Sequence, residues 1–110
     1  MNEKQKFGRA GESFAAEILT LSGYTILQRN YRCRYGEIDL IAERERELFF
    51  VEVKSRRNTA FGEPGESITG EKRKHMRRAA AQFLSEQKCR WEAYSFQVIE
   101  IGFNQIENAF

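Results

Sequence analysis

Two apolar runs separated by a short charged break constrain this chain more than any other feature. Gly36-Glu37-Ile38-Asp39-Leu40-Ile41-Ala42 and Leu48-Phe49-Phe50-Val51-Glu52-Val53-Lys54 flank Glu43-Arg44-Glu45-Arg46-Glu47. Short runs of this kind, rich in β-branched and aromatic residues, predict strands over about 36–43 and 48–55, and the brief polar break joins them as a hairpin. With the tip between Glu45 and Arg46, positions 39 and 52 are equidistant from it. They fall opposite each other, ~4.5–5.5 Å apart at Cβ. Period-two alternation puts Glu52 and Lys54 on one face and gives Glu37 and Ile41 the face of Asp39. Ile38, Leu40, Phe49, Val51 and Val53 then form an opposite, wholly apolar face. A slip of one residue would undo the pairing.

Asp39 is the only aspartate among sixteen acidic residues, and it stands in the middle of an apolar run. Glu52 and Lys54 stand inside the second. Burying carboxylates and an ammonium costs free energy unless they are paired or hold a metal. These three residues are therefore the first place to look for chemistry.

Around the hairpin, residues 7–22 space Phe7, Phe14, Ala15, Ile18, Leu19 and Leu21 as the apolar face of a helix ending at Gly23, with Glu12 on the edge of that face. Residues 24–31 predict a first strand, and 58–68 a loop that holds the only proline, Pro64. Thr69 can cap a helix reaching about Gln87, with an apolar stripe of Met76, Ala79, Ala80, Phe83 and Leu84 that Lys72 extends. A strand is expected over 91–103 and a short edge strand over 106–110. His75, beside the stripe, reads as structural. At 110 residues, 41% hydrophobic and 31% charged, the chain is expected to form one domain, 1–110, with neither general disorder nor a bilayer-spanning stretch. Its polar start and two cysteines not at ligand spacing, Cys33 and Cys89, lead to the expectation of a cytoplasmic protein with reduced thiols. One histidine and no paired cysteines argue against zinc.

The formal net charge of +2 conceals local polarity. Arg29, Arg32 and Arg34 precede the Asp39 run, Lys54, Arg56 and Arg57 close the Glu52 run, and Lys72, Arg73, Lys74, Arg77 and Arg78 crowd one helix. Basic clusters around an acidic centre suit a phosphodiester ligand. Paired carboxylates offer hard oxygen ligands to Mg²⁺ or Mn²⁺. A lysine two residues beyond the second carboxylate could orient water or face charge developing on a phosphate, and Lys72 could hold a nonbridging oxygen. Glu12 would add a third carboxylate. The chemistry this suggests is metal-assisted phosphodiester hydrolysis. The same residues could instead form a cross-strand salt-bridge lattice on a solvated sheet face, and the basic helix a merely solvated one.

Three motifs, Gly8-Arg9-Ala10-Gly11-Glu12, the Asp39 run and Phe50-Val51-Glu52-Val53-Lys54-Ser55-Arg56, together with Phe61-Gly62-Glu63-Pro64 and Lys72, resemble the YraN-like family of small bacterial proteins of uncharacterised function. That family is assigned to the restriction-endonuclease-like superfamily, which includes the archaeal Holliday-junction resolvases and has a PD-(D/E)xK active site. The resemblance implies an α/β fold with a central mixed sheet flanked by helices, in the order α-β-β-β-α-β-β. It implies Glu12, Asp39 and Glu52 as ligands of Mg²⁺ or Mn²⁺ and Lys54 as the catalytic lysine. Arg9, Arg34, Arg56 and Lys72 become candidate nucleic-acid contacts, with DNA expected ahead of RNA and a homodimer expected by analogy with enzymes of two-fold junctions. Ser95-Phe96-Gln97-Val98 stands where the family has an Arg-Phe-Asp-Val run, so that strand is assigned no role. A noncatalytic nucleic-acid-binding module of the same fold is the competing expectation.

Overall fold

The structure is a computed structural model that describes residues 1–57 and 68–108. The elements run α1 (Glu3–Leu21), β1 (Thr25–Cys33), β2 (Gly36–Arg44), β3 (Glu47–Arg56), α2 (Gly70–Ser85) and β4 (Ala93–Gly102). The four strands form one mixed sheet in the order β1-β2-β3-β4, antiparallel for the first two pairs and parallel for β3 with β4. This is the expected α/β class. The Pro64 loop and its Phe61-Gly62-Glu63-Pro64 motif lie outside the described residues. The strand expected over 106–110 is not formed where the chain is described: Ile106 is irregular, and Glu107 and Asn108 lie in a turn. Positions 109–110 are outside the described residues. No helix among the described residues is long and apolar enough to cross a membrane.

The hairpin has the register its sequence demands. Arg44 pairs with Glu47 and Leu40 with Val51, so the tip falls between Glu45 and Arg46. Both tip residues have positive φ, 52° and 67°, the left-handed geometry of a two-residue turn whose twist matches that of its strands. Neither is a glycine or asparagine, so the turn is formed against local preference by the strands that it joins.

One expectation fails in an informative place. Ile38 and Leu40 do not share a face. Leu40 and Ala42 pack with Ala15, Ala16 and Leu19 of α1, whereas Ile38 packs with Ile41, Phe50 and Phe83 on the α2 side. Strict alternation therefore breaks at Asp39. Across the ladder, Arg29 pairs with Leu40 and Tyr31 with Ile38, and between them Asn30 turns left-handed at φ 52°. An asparagine tolerates that region at little cost, and here the turn lets neighbouring side chains change sides. Asp39 sits where the sheet changes face.

The helices lie on opposite faces. An Asn2–Gln5 capping box starts α1, and Gly23 at φ 93° follows its end in the left-handed position that closes helices. Against the sheet α1 buries Gly11, Ala15, Ala16 and Leu19, while Phe14, Ile18 and Leu21, expected on the buried face, are exposed. The reason is steric. Small residues let the helix come close to β3, so the larger side chains point away. Helix α2 buries Met76, Ala79, Ala80 and Phe83. Edge-to-face contacts of Phe83 with Tyr31 and Phe50, at centroid separations of 5.4 and 6.1 Å, lock it to the sheet. The Tyr31 hydroxyl also donates to Glu86 Oε1 at 2.8 Å, fixing the end of α2 against β1.

An acidic pocket between the sheet and the second helix

The β2–β3 ladder stops at Leu40 and Val51, one step short of Asp39 and Glu52. Beyond that point a side chain takes over the backbone's role. Asp39 Oδ2 accepts the Val53 N–H at 2.8 Å, which fixes the carboxylate between the two strands. Because alternation breaks here, one aspartate meets residues from both faces. Its carboxyl comes within hydrogen-bonding reach of Glu12 on α1 and feels the charge of Glu52 on the α2 side. Burial, followed by these two acidic neighbours, pushes Asp39 up to about 7, against the downward pull of the Val53 hydrogen bond.

Glu52 is only 5% exposed, among the lowest of any charged residue here. Its Oε1 accepts from Lys72 Nζ and lies 3.5 Å from Lys54 Nζ. Lys72 reaches it because Thr69 caps α2, its hydroxyl accepting the Lys72 N–H at 3.1 Å, and this sets the first turn of the helix over the carboxylate. Burial, the largest single influence, pulls the Lys72 ammonium down, but the hydrogen bond and charge of Glu52, with smaller contributions from Lys54 and Asp39, together outweigh it and the net shift is upward. A buried carboxylate shared by two lysines is far from a loosely solvated surface lattice.

Asp39, Glu52 and Lys72 line a pocket of about 430 Å³ with Glu37, Glu71 and His75. The sequence reading thus finds Glu12, Asp39, Glu52, Lys54 and Lys72 brought together. Among the other candidate contacts, Arg9 is exposed and lines the adjoining depression with Glu12 and Glu37. Arg56 is ion-paired to Glu100 at 2.5 Å, toward β4. Arg34 does not line the acidic pocket and lies against Tyr35. His75, which its place beside the apolar stripe marks as structural, is instead exposed and lines the pocket. Its position three residues after Lys72, on the same helical face, was the available signal.

Among the described residues, no three carboxylate, histidine or cysteine side chains converge closely enough to hold a metal ion as they stand. Physical chemistry accounts for this. Carboxylates that face one another repel, so Glu52 turns to its lysines and Asp39 holds a proton more tightly. The donor set nonetheless suits a hard divalent cation. It consists of carboxylate oxygens, two of them on buried or half-buried residues, whose mutual repulsion a cation would relieve.

The raised pKa of Asp39 has a consequence for stability. Asp39 binds its proton more tightly folded than unfolded, so its contribution to stability is fully present below about pH 4 and declines as pH rises through about 7. In metal-free buffer, the melting temperature of the wild type relative to Asp39→Asn is expected to fall between about pH 5 and pH 8. Parallel melting curves across that range would remove the acidic cluster as its cause.

The sequence model of the uncharacterised protein family UPF0102 matches residues 11–101 of the chain. A UPF0102 protein of Caldicellulosiruptor saccharolyticus is 42% identical, the match covering 97% of this chain and 98% of that protein. One from Syntrophomonas wolfei is 40% identical over 96% of this chain and 98% of its own length. One from Nocardia farcinica is 45% identical over 92% and 80%.

Proposed function

We propose that this chain, which belongs to the uncharacterised protein family UPF0102, is a Mg²⁺- or Mn²⁺-dependent endonuclease that hydrolyses phosphodiester bonds in branched or otherwise structured DNA. The observation that carries the reading is the meeting of Asp39, Glu52 and Lys72 in one open pocket, with Lys54 3.5 Å from Glu52 and Glu12 against Asp39 from the opposite face. The resemblance to PD-(D/E)xK nucleases agrees with it; analogy with resolvases would favour branched substrates and a dimer, and two free cysteines fit a cytoplasmic setting.

Glu12, Asp39 and Glu52 would hold the cation. Bound there, it would supply positive charge against the phosphate and make nearby water more acidic. The chain's own residues do the rest. The Val53 N–H fixes one oxygen of Asp39 and so the direction of its carboxylate. Lys54, 3.5 Å from Glu52, stands where an ammonium can orient the attacking water or face the charge developing on phosphorus oxygens. Lys72 can turn from Glu52 to a nonbridging phosphate oxygen. Arg9, beside Glu12, lies where a neighbouring phosphate would pass.

The lysine pairing of Glu52 is also what a noncatalytic nucleic-acid-binding module would show, its acidic residues being neutralised internally. A panel of end-labelled duplex, four-way junction, single-stranded DNA and RNA, incubated with Mn²⁺ or EDTA, separates the two. Cuts confined to Mn²⁺ and strongest on the junction are expected, with a Mn²⁺-dependent rise in melting temperature. Intact substrates throughout, with binding that weakens steeply as salt rises, would leave only the binding module.

A further inference from the structure

The acidic pocket does not end at His75. Along α2 the same face continues to Arg78 and Gln82, three and seven residues on. These two line a second depression, of about 550 Å³, together with Arg34 and Tyr35 from the turn between β1 and β2. The two depressions are flanked by neighbouring residues of that turn, Gly36 lining the first and Tyr35 the second. Adjacent residues are ~3.8 Å apart at Cα, so the two depressions lie within the span of a few nucleotides of one strand.

Two guanidiniums share the Tyr35 ring. Arg34 Cζ lies 4.9 Å from its centroid and Arg78 Cζ 5.9 Å. Among the described residues neither arginine has a carboxylate partner, unlike Arg32, Arg46 and Arg56. Two like charges gathered on one ring without a counter-ion repel each other, and an incoming anion relieves that repulsion. The planar groups present here, one phenol and two guanidiniums, are those on which an unpaired base stacks, and the cations are those that hold the phosphates on either side of it. A base within a duplex presents no free face to such a ring.

We propose that Arg34, Tyr35 and Arg78 form a platform for an unpaired nucleotide of the DNA strand whose phosphodiester lies in the acidic pocket. This rests on the nuclease reading of that pocket and adds to it the source of a preference for single-stranded or branched substrates. Tyr35 receives the base, and the two arginines hold the flanking phosphates.

The test measures binding in EDTA, where cleavage is absent, using a labelled single-stranded oligonucleotide and a duplex of equal length at several salt concentrations. Tyr35→Ala is expected to weaken single-strand binding about tenfold and duplex binding far less, with Tyr35→Phe restoring it. Arg34→Gln and Arg78→Gln should each lower the slope of log affinity against log salt by about 0.7 on single strands. Wild-type binding by Tyr35→Ala, or an equal loss on both DNAs, overturns the platform. Arg34 and Arg78 are exposed and Tyr35 is half-buried, so melting curves are recorded for all four variants, and unchanged curves exclude misfolding as the cause. Mn²⁺-dependent cleavage by the wild type is followed in parallel. Its absence would defeat the nuclease reading, whereas a retained Tyr35 contrast would still support the platform.

Discussion

Replacing Asp39 by asparagine is expected to lower Mn²⁺-dependent cleavage on the order of 10³-fold, about 4 kcal/mol of transition-state stabilisation, while leaving the fold intact. Asparagine keeps an oxygen that can accept the Val53 N–H, so the strands remain tied where the ladder ends. It cannot bring a negative charge to a cation, and it no longer repels Glu12 and Glu52. The expected signature is therefore paired. Activity disappears, while in metal-free buffer near pH 8 the variant melts above the wild type, whose Asp39 has there been driven to ionise among acidic neighbours. Mn²⁺ should raise the melting temperature of the wild type but not of the variant. Cleavage within tenfold of wild type would remove Asp39 from the chemistry, and a lower melting point would show that its role is structural instead.

Gly11→Ala is expected to destabilise the protein by about 3 kcal/mol, a fall of about 12 °C in melting temperature for a domain of this size. A Cβ at Gly11 would lie 1.8 Å from Ser55 Oγ and 3.1 Å from Ser55 Cβ. Ser55 has little room to yield, because its hydroxyl is buried and, among the described residues, has no hydrogen-bond partner. The remaining escape is for α1 to lift away from β3. Glu12 is the next residue along the helix, so the same displacement would carry it away from Asp39. Ser55→Ala alone should be neutral or mildly stabilising, since it removes an unsatisfied buried group. In the double variant the loss should shrink by more than about 1 kcal/mol, with some strain remaining between the two Cβ atoms. Chemical denaturation of the four proteins measures that coupling, and strictly additive effects would mean that the helix does not pivot on this contact.

What could be read from the residues, and what could not, divides along physical lines. The hairpin register followed from symmetry about a short polar break. That register alone places Asp39, Glu52 and Lys54 near one another. Thr69 as a cap and the stripe from Met76 to Phe83 followed from local chemistry and helical spacing, and Lys72 came with them. The side change between Ile38 and Leu40 could not be read, because it depends on the left-handed turn at Asn30 in the neighbouring strand, and simple alternation carries no term for a partner's backbone. The outward turn of Phe14 and Ile18 was hidden for a related reason. Periodicity marks an apolar helix face but does not say that a close approach will favour the glycine and alanines beside it. Tyr35 stands in a turn, where spacing carries no information, and the two arginines that meet on its ring, Arg34 and Arg78, are far from each other in sequence.

The order of the strands bears on how the chain emerges during synthesis. β1, β2 and β3 are contiguous and can zip together as they leave the ribosome, whereas Ala93 joins Glu47 only after α2 has been made. Until then β3, whose residues from Leu48 to Val53 are all buried in the finished protein, has one open side with unpaired amides and carbonyls. Glu52 lies within that stretch and Lys54 follows it directly. Charges that the mature protein keeps for its pocket thus also guard a sticky nascent edge against pairing with the wrong chain.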